Sequence, residues 1–314
     1  MSKQRVKALS ISRPVFDMVK KDGLTGRVLG NYRRACNLVT SEQEFIALVS
    51  PMIGNGPLNI VIEENVALEH VEPESPAVLS NSQLVLGDSL VVLLGGAELW
   101  RPEVNWGCLT NQRRKLEDSL TALCTWLCQD NGTKLALRGL SDPHDGTRSL
   151  QNRAFLTTAW MGIKGLLQAL QHGDRSGIRE NATLLAGLGP GLTPAGDDYL
   201  VGLMAGLRVW PGPLERCGLS PEEVCQIILE ATEGKTTLLS SAFLHSAQKG
   251  MFGEDWHELL AELARGEATG IQRAAKRILS SGATSGADAL AGFLSPYLWQ
   301  RRLAGKYKPC YNPQ

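Results

Sequence analysis

The chain has 314 residues, 43% of them hydrophobic, enough to bury a full core and to build two domains. Lys plus Arg and Asp plus Glu each number 32, so the net charge is zero. A nucleic-acid protein must neutralise phosphates and normally carries a basic excess, which this composition lacks.

The first residues, MSKQRVKALSISRPVFDMVKK, are basic but contain no continuous apolar stretch of the kind that forms a signal peptide. No run approaches the roughly 18 apolar residues of a membrane span. These features predict a cytoplasmic protein with neither nucleic acid nor membrane as a partner. The first third is β-rich: Asn59–Ile62, Leu84–Leu86 and Ser89–Leu94 are short apolar runs bounded by Gly, Pro, Asn or Asp. Gly87-Asp88 fits a tight turn between two of them. Strands at this spacing, without amphipathic helices between them, predict a small barrel or sandwich rather than a parallel βαβ sheet.

From about Asn111 the period changes, with Leu116, Leu120, Leu123 and Leu127 recurring at helical spacing. Further helices are predicted near 149–172, 195–209, 220–233, 236–250, 254–265, 268–280 and 286–303. Breaks fall at Pro143, 187–194, 211–213 and Gly282. The predicted class is α+β, a β-rich domain over 1–110 followed by a larger all-helical domain over 111–314. The seven cysteines form no disulfide framework. Cys124 and Cys128 share a helix face, but no second pair with zinc spacing follows, which favours ordinary thiols in a reduced compartment.

Residues 187–202 read GLGPGLTPAGDDYLVG. The glycines and prolines of its first half forbid regular structure, and the apolar pattern after Ala195 is helical. Thr193 before Pro194 has the order of an N-cap and a first helical residue, with Asp197 and Asp198 in the first turn. Capping alone needs only one or two of these residues. A loop carrying Gly189, Gly191 and Gly196 lets backbone N–H groups approach a bound anion at a helix start.

The pattern recurs. Gly196, Asp198, Leu200 and Gly202 align with Gly286, Asp288, Leu290 and Gly292, and Thr193 and Thr284 precede the two copies. Each copy is a helix start with a hydroxyl, exposed N–H groups and a carboxylate, and its Asp and Gly share a helix face. The expectation is two antiparallel-related helix starts facing one cleft, with Asp198 and Asp288 converging. Two helices packed through small residues, with solvated caps, is the alternative.

The segment GLGPGLTPAGDDYLVGLMAG resembles the signature of the bacterial family that contains the AllH subunit of oxamate carbamoyltransferase. Arg33-Arg34-Ala35-Cys36-Asn37-Leu38 and Gly282–Asp288 are similar to two further segments of that subunit, and Thr236–Gly250, with Thr237 and Ser240, more loosely so. The matches keep their order over 33–293. One departure is Ala195, where Ser is common in the family after Thr-Pro. The resemblance implies participation in carbamoyl transfer between oxalurate and phosphate during allantoin breakdown, with AllG-type and FdrA-type protein partners.

In that setting the ligand is a small anion. Arg33 or Arg34, with Asn37, would fork a carboxylate or phosphate, and on a strand only one of the two arginines could face the site. Gly189, Gly191, Thr193, Gly196, Thr237, Ser240, Thr284, Ser285 and Gly286 complete the expected binding set. Asp197, Asp198 and Asp288 would act as acid/base groups or hold a divalent cation, Mg²⁺ by the hardness of their oxygens, though no cofactor is identified. Gly234-Lys235-Thr236-Thr237 resembles the end of a P-loop, but Leu229 stands where the first Gly is required and a helix precedes it. His245 has no identifiable catalytic partner. The leading expectation is a carbamoyltransferase subunit. The alternatives are a Mg²⁺-dependent hydrolase or small-anion binder, and a non-catalytic scaffold subunit.

Overall fold

The computed structural model describes residues 3–21, 23–64, 66–80, 82–110, 113–129 and 150–305; the break expected at Pro143 lies outside them. The chain divides into two compact units, 1–103 with 251–254, and 104–250 with 255–314.

The first unit is a closed mixed barrel. Its strands are β1 (Gln4–Ser12), β2 (Leu24–Tyr32), β3 (Ala35–Thr40), β4 (Phe45–Val49), β5 (Asn59–Ile62), β6 (Pro76–Leu79), β7 (Gln83–Leu86), β8 (Leu90–Leu93) and β9 (Glu98–Trp100). They run β5-β4-β3-β2-β6-β7-β8-β1-β9, and β5 also pairs with β1, which closes eight strands into a ring and leaves β9 as an extension. Closure is possible because β1 is long enough to change partner: residues 4–7 pair with β8 and 10–12 with β9, while Ala8, Ser10 and Ile11 pair with β5. Leu38, Ile46, Leu48, Ile60, Ile62, Leu84, Leu86 and Val92 point inward from alternate positions and form the core. Helix α1 (Arg13–Val19) is capped by Ser12, whose hydroxyl accepts from the Val15 N–H, and buries Val15 and Val19 in the same core.

The second unit is helical: α2 (Gly107–Thr110), α3 (Arg113–Gln129), α4 (Leu150–His172), α5 (Arg175–Leu185), α6 (Ala195–Val209), α7 (Pro221–Thr232), α8 (Leu238–Gln248), α9 (Glu254–Arg265), α10 (Ala268–Leu279) and α11 (Ser285–Leu303). The sequence pattern did not predict α5. It is short and buries only Ile178, Ala182 and Leu185, while Asp174 caps it by accepting from the Gly177 N–H. Cys36, Cys124, Cys217 and Cys225 are free thiols, but Cys128 is disulfide-bonded, which corrects the expectation of thiols alone. No described helix is long and apolar enough to cross a membrane.

Candidate functional site

The two Gly/Asp motifs open α6 and α11, and these helices lie side by side. Thr193 meets Ser285 hydroxyl to hydroxyl at 2.9 Å. Further along, Gly202 abuts Ala289, Gly292 abuts Tyr199 and Leu203, Gly206 abuts Phe293, and the Trp210 and Tyr297 rings meet edge to face at 5.2 Å. Residue numbers rise together along both helices, so they run parallel with their N-termini at the same end. This corrects the antiparallel expectation. Sequence periodicity identifies the packing face but not the sense of travel.

Glycine makes the close approach possible. A Cβ on Gly202 would run into the Ala289 carbonyl oxygen, one on Gly292 into that of Tyr199, and one on Gly206 into that of Phe293. The Tyr199 hydroxyl donates to Ser295 at 2.8 Å, a link within the interface that the motif did not reveal. Parallel packing brings the positive ends of two helix dipoles together, where carboxylates are favourable. Asp197, Asp198 and Asp288 all lie in first turns.

The aspartates have different surroundings. Asp197 is 1% exposed; it accepts from the Gly187 N–H at 2.9 Å and from the Thr236 hydroxyl. Burial raises its pKa, and the hydrogen bonds from Thr236 and Gly187 oppose the rise. Thr237 caps α8, accepting from the Ser240 N–H at 3.1 Å, and donates to the Leu192 carbonyl at 2.6 Å. Asp197, Thr236, Thr237 and Ser240 therefore tie the glycine loop to the start of α8. Thr236 was missed as a site residue: the loose family match drew attention to Thr237 and Ser240, and the P-loop-like tetrapeptide fails as a P-loop since α7 precedes it.

Asp198 and Asp288 lie at the paired helix starts. The Oδ2 of each is buried without a hydrogen-bond partner. Burial raises the Asp198 pKa to about 7; hydroxyls of Ser285 and Thr193 oppose the rise, and the charges of Asp288 and Asp197 add to it. Asp288 rises to about 6 through burial, opposed by the Thr284 hydroxyl. Both carboxyls can thus hold or release a proton near neutrality. Thr193 is not the N-cap expected of it: Pro194 takes that place and Thr193 turns to Ser285. Thr284 does occupy the N-cap of α11, without a side-chain capping bond.

Around this pair the loop supplies donors. The backbone N–H groups of Gly189, Gly191, Leu192, Thr193 and Ala195 meet no acceptor among the described residues. Gly189 and Gly191 have φ of +125° and +101°, which exclude a side chain without strain. Gly196 and Gly286 serve packing instead, each pressing on the carbonyl of the preceding helix at Leu185 and Ile278.

Arg33, Arg34 and Asn37 belong to the barrel unit. The two arginines form the exposed turn between β2 and β3, so strand alternation does not choose between them, and Asn37 lies on β3. His245 is exposed and bonds the Ser241 carbonyl of its own helix. Among the described residues no three His, Cys, Asp or Glu side chains cluster to hold a metal; Asp197 turns to the loop, away from Asp198 and Asp288.

No solved structure matches the chain. The family described as AllH family N-terminal domain matches residues 7–99, which span the barrel strands, and that described as Oxamate carbamoyltransferase subunit AllH matches residues 185–296, from the last residue of α5 through both motifs. Together the two matches cover most of the chain, and the protein belongs to the AllH family, named for a subunit of oxamate carbamoyltransferase.

Proposed function

We propose that this chain serves in an oxamate carbamoyltransferase-type assembly and binds a small anionic carbamoyl compound where α6 and α11 begin. The observation that carries this reading is the pair of buried, unpartnered Asp198 and Asp288 oxygens beside a glycine loop with free N–H groups. In the reaction, phosphate oxygen attacks the ureido carbonyl of oxalurate and the bond to the oxamate nitrogen breaks. The products are carbamoyl phosphate and oxamate, whose nitrogen gains a proton. The loop N–H groups and the helix ends hold the anionic portion. A carboxyl with a pKa of 6 to 7 supplies the proton. Arg33 and Arg34 are proposed carboxylate or phosphate contacts within the assembly, whose other members would be AllG-type and FdrA-type subunits.

The test is phosphate-dependent oxalurate cleavage by the reconstituted assembly. Replacing Asp288 by Asn is expected to lower turnover about 100-fold or more with the assembly intact. Full activity in that variant would make the chain a scaffold. A second reading, Mg²⁺ held between Asp198 and Asp288, draws on the same two unpartnered oxygens. It requires that Mg²⁺ raise the Tm of the chain and that Asp198→Asn abolish the rise.

A further inference from the structure

The two motifs are equivalent in space as well as in sequence. The opening glycines, Gly196 and Gly286, each press on the carbonyl of the preceding helix, at Leu185 and Ile278. In the aligned motifs Gly202 corresponds to Gly292 and Tyr199 to Ala289. Gly202 meets the Ala289 carbonyl, and Gly292 meets the Tyr199 carbonyl. When i touches j and its equivalent touches i's equivalent, the halves are related by a two-fold axis. Here that axis runs along the parallel helix pair and passes between Asp198 and Asp288. The local two-fold covers the two motifs, 196–202 and 286–292.

The equivalence extends to the acids themselves. On each, Oδ2 is sealed from solvent and has no donor. A sealed acceptor without a donor is costly, and both acceptors lie on the symmetric part of the site. The ligand group that suits them presents two N–H donors related by a two-fold.

We infer that Asp198 and Asp288 together read the two N–H bonds of one planar –NH2 group, that of a carbamoyl or primary amide compound. An –NH2 has such symmetry about its C–N bond. A methyl group has no donor, and a hydroxyl has only one. The unsymmetric part of the site, the glycine loop found before α6 but not before α11, is left for the anionic end of the ligand. This inference rests on the proposed reading of the site and makes these two aspartates its specificity determinants.

Carbamoyl phosphate and acetyl phosphate test it, because they differ only in –NH2 against –CH3. Titration calorimetry of the full chain, alone and in its assembly, is expected to show carbamoyl phosphate binding about 100-fold or more tightly than acetyl phosphate. Asp198→Asn and Asp288→Asn should each cut that preference about tenfold, and the double variant should leave little of it. Inorganic phosphate should bind all variants within about twofold, which also shows that they are folded. Equal affinity for the two acyl phosphates, with phosphate still bound, overturns this inference alone. Mg²⁺ binding that Asp288→Asn abolishes, with the preference unchanged, overturns it in favour of a cation. Failure of all three phosphates to bind removes the underlying reading together with it.

Discussion

At the scale of single residues, the adjacent aspartates Asp197 and Asp198 divide into a structural and a chemical group. Asp197 spends its oxygens on Gly187 and Thr236, so Asp197→Ala is expected to destabilise the fold by about 3 kcal/mol, measured by chemical denaturation. Asp198 and Asp288 each keep an unpartnered Oδ2. Their folded pKa values, about 7 and about 6, lie above the ordinary 3.8, so between about pH 4 and pH 7 the folded chain holds more protons than the unfolded one. Their contribution therefore falls as pH rises through that window and is least favourable above it. The Asp198→Asn/Asp288→Asn double variant is expected to gain roughly 2 kcal/mol over the parent at pH 8 and almost nothing at pH 4. Equal stability change at both pH values would contradict these pKa values. The sequence pattern placed both acids in first turns but gave no sign that one faces a loop and the other a site. That division depends on Thr236, which arrives from the segment before α8.

At the scale of elements, the glycines of α6 and α11 are the frame. Gly202→Ala and Gly292→Ala should each cost about 1–3 kcal/mol or more, because the added Cβ meets backbone carbonyl that has nowhere to move. The two losses should be similar, since the contacts are reciprocal. Thermal unfolding checks both, and a neutral result at either position would mean that the helices do not approach so closely. Most helices were legible from apolar periodicity, including α6 to within a residue of its ends. The short helix α5 was not, because a brief apolar face interrupted by Gly177 looks like loop. Nor was the parallel sense of α6 and α11, which depends on how the intervening helices return the chain.

At the scale of the whole molecule, the β-then-α order and a barrel or sandwich were legible, but the choice of a closed barrel between those two was not. Closure depends on β5 reaching β1, a pairing between strands far apart in sequence, and short apolar runs do not specify pairing. Nor did the pattern show that residues 251–254 join the barrel unit. There Glu254 accepts from the Asn55 backbone and side-chain N–H groups, both at 2.8 Å, and the Phe252 N–H donates to the Pro102 carbonyl at 3.0 Å. Cutting the chain at residue 110, as the composition invites, removes these bonds. Glu254→Ala in the full chain is expected to increase proteolysis in 50–60 and to destabilise the barrel by about 1–3 kcal/mol.

Convergence of the two motif starts underlies both the site and the chemistry proposed for it. The Thr193 and Ser285 hydroxyls, 2.9 Å apart, offer a direct measurement. Cysteines placed at both positions are expected to form a disulfide under mild oxidation, identified as one cross-linked peptide pair by mass spectrometry, in a chain that keeps its parent circular dichroism. Two thiols that stay free in the folded double variant, or that pair only with other cysteines, would show that the helix starts do not meet.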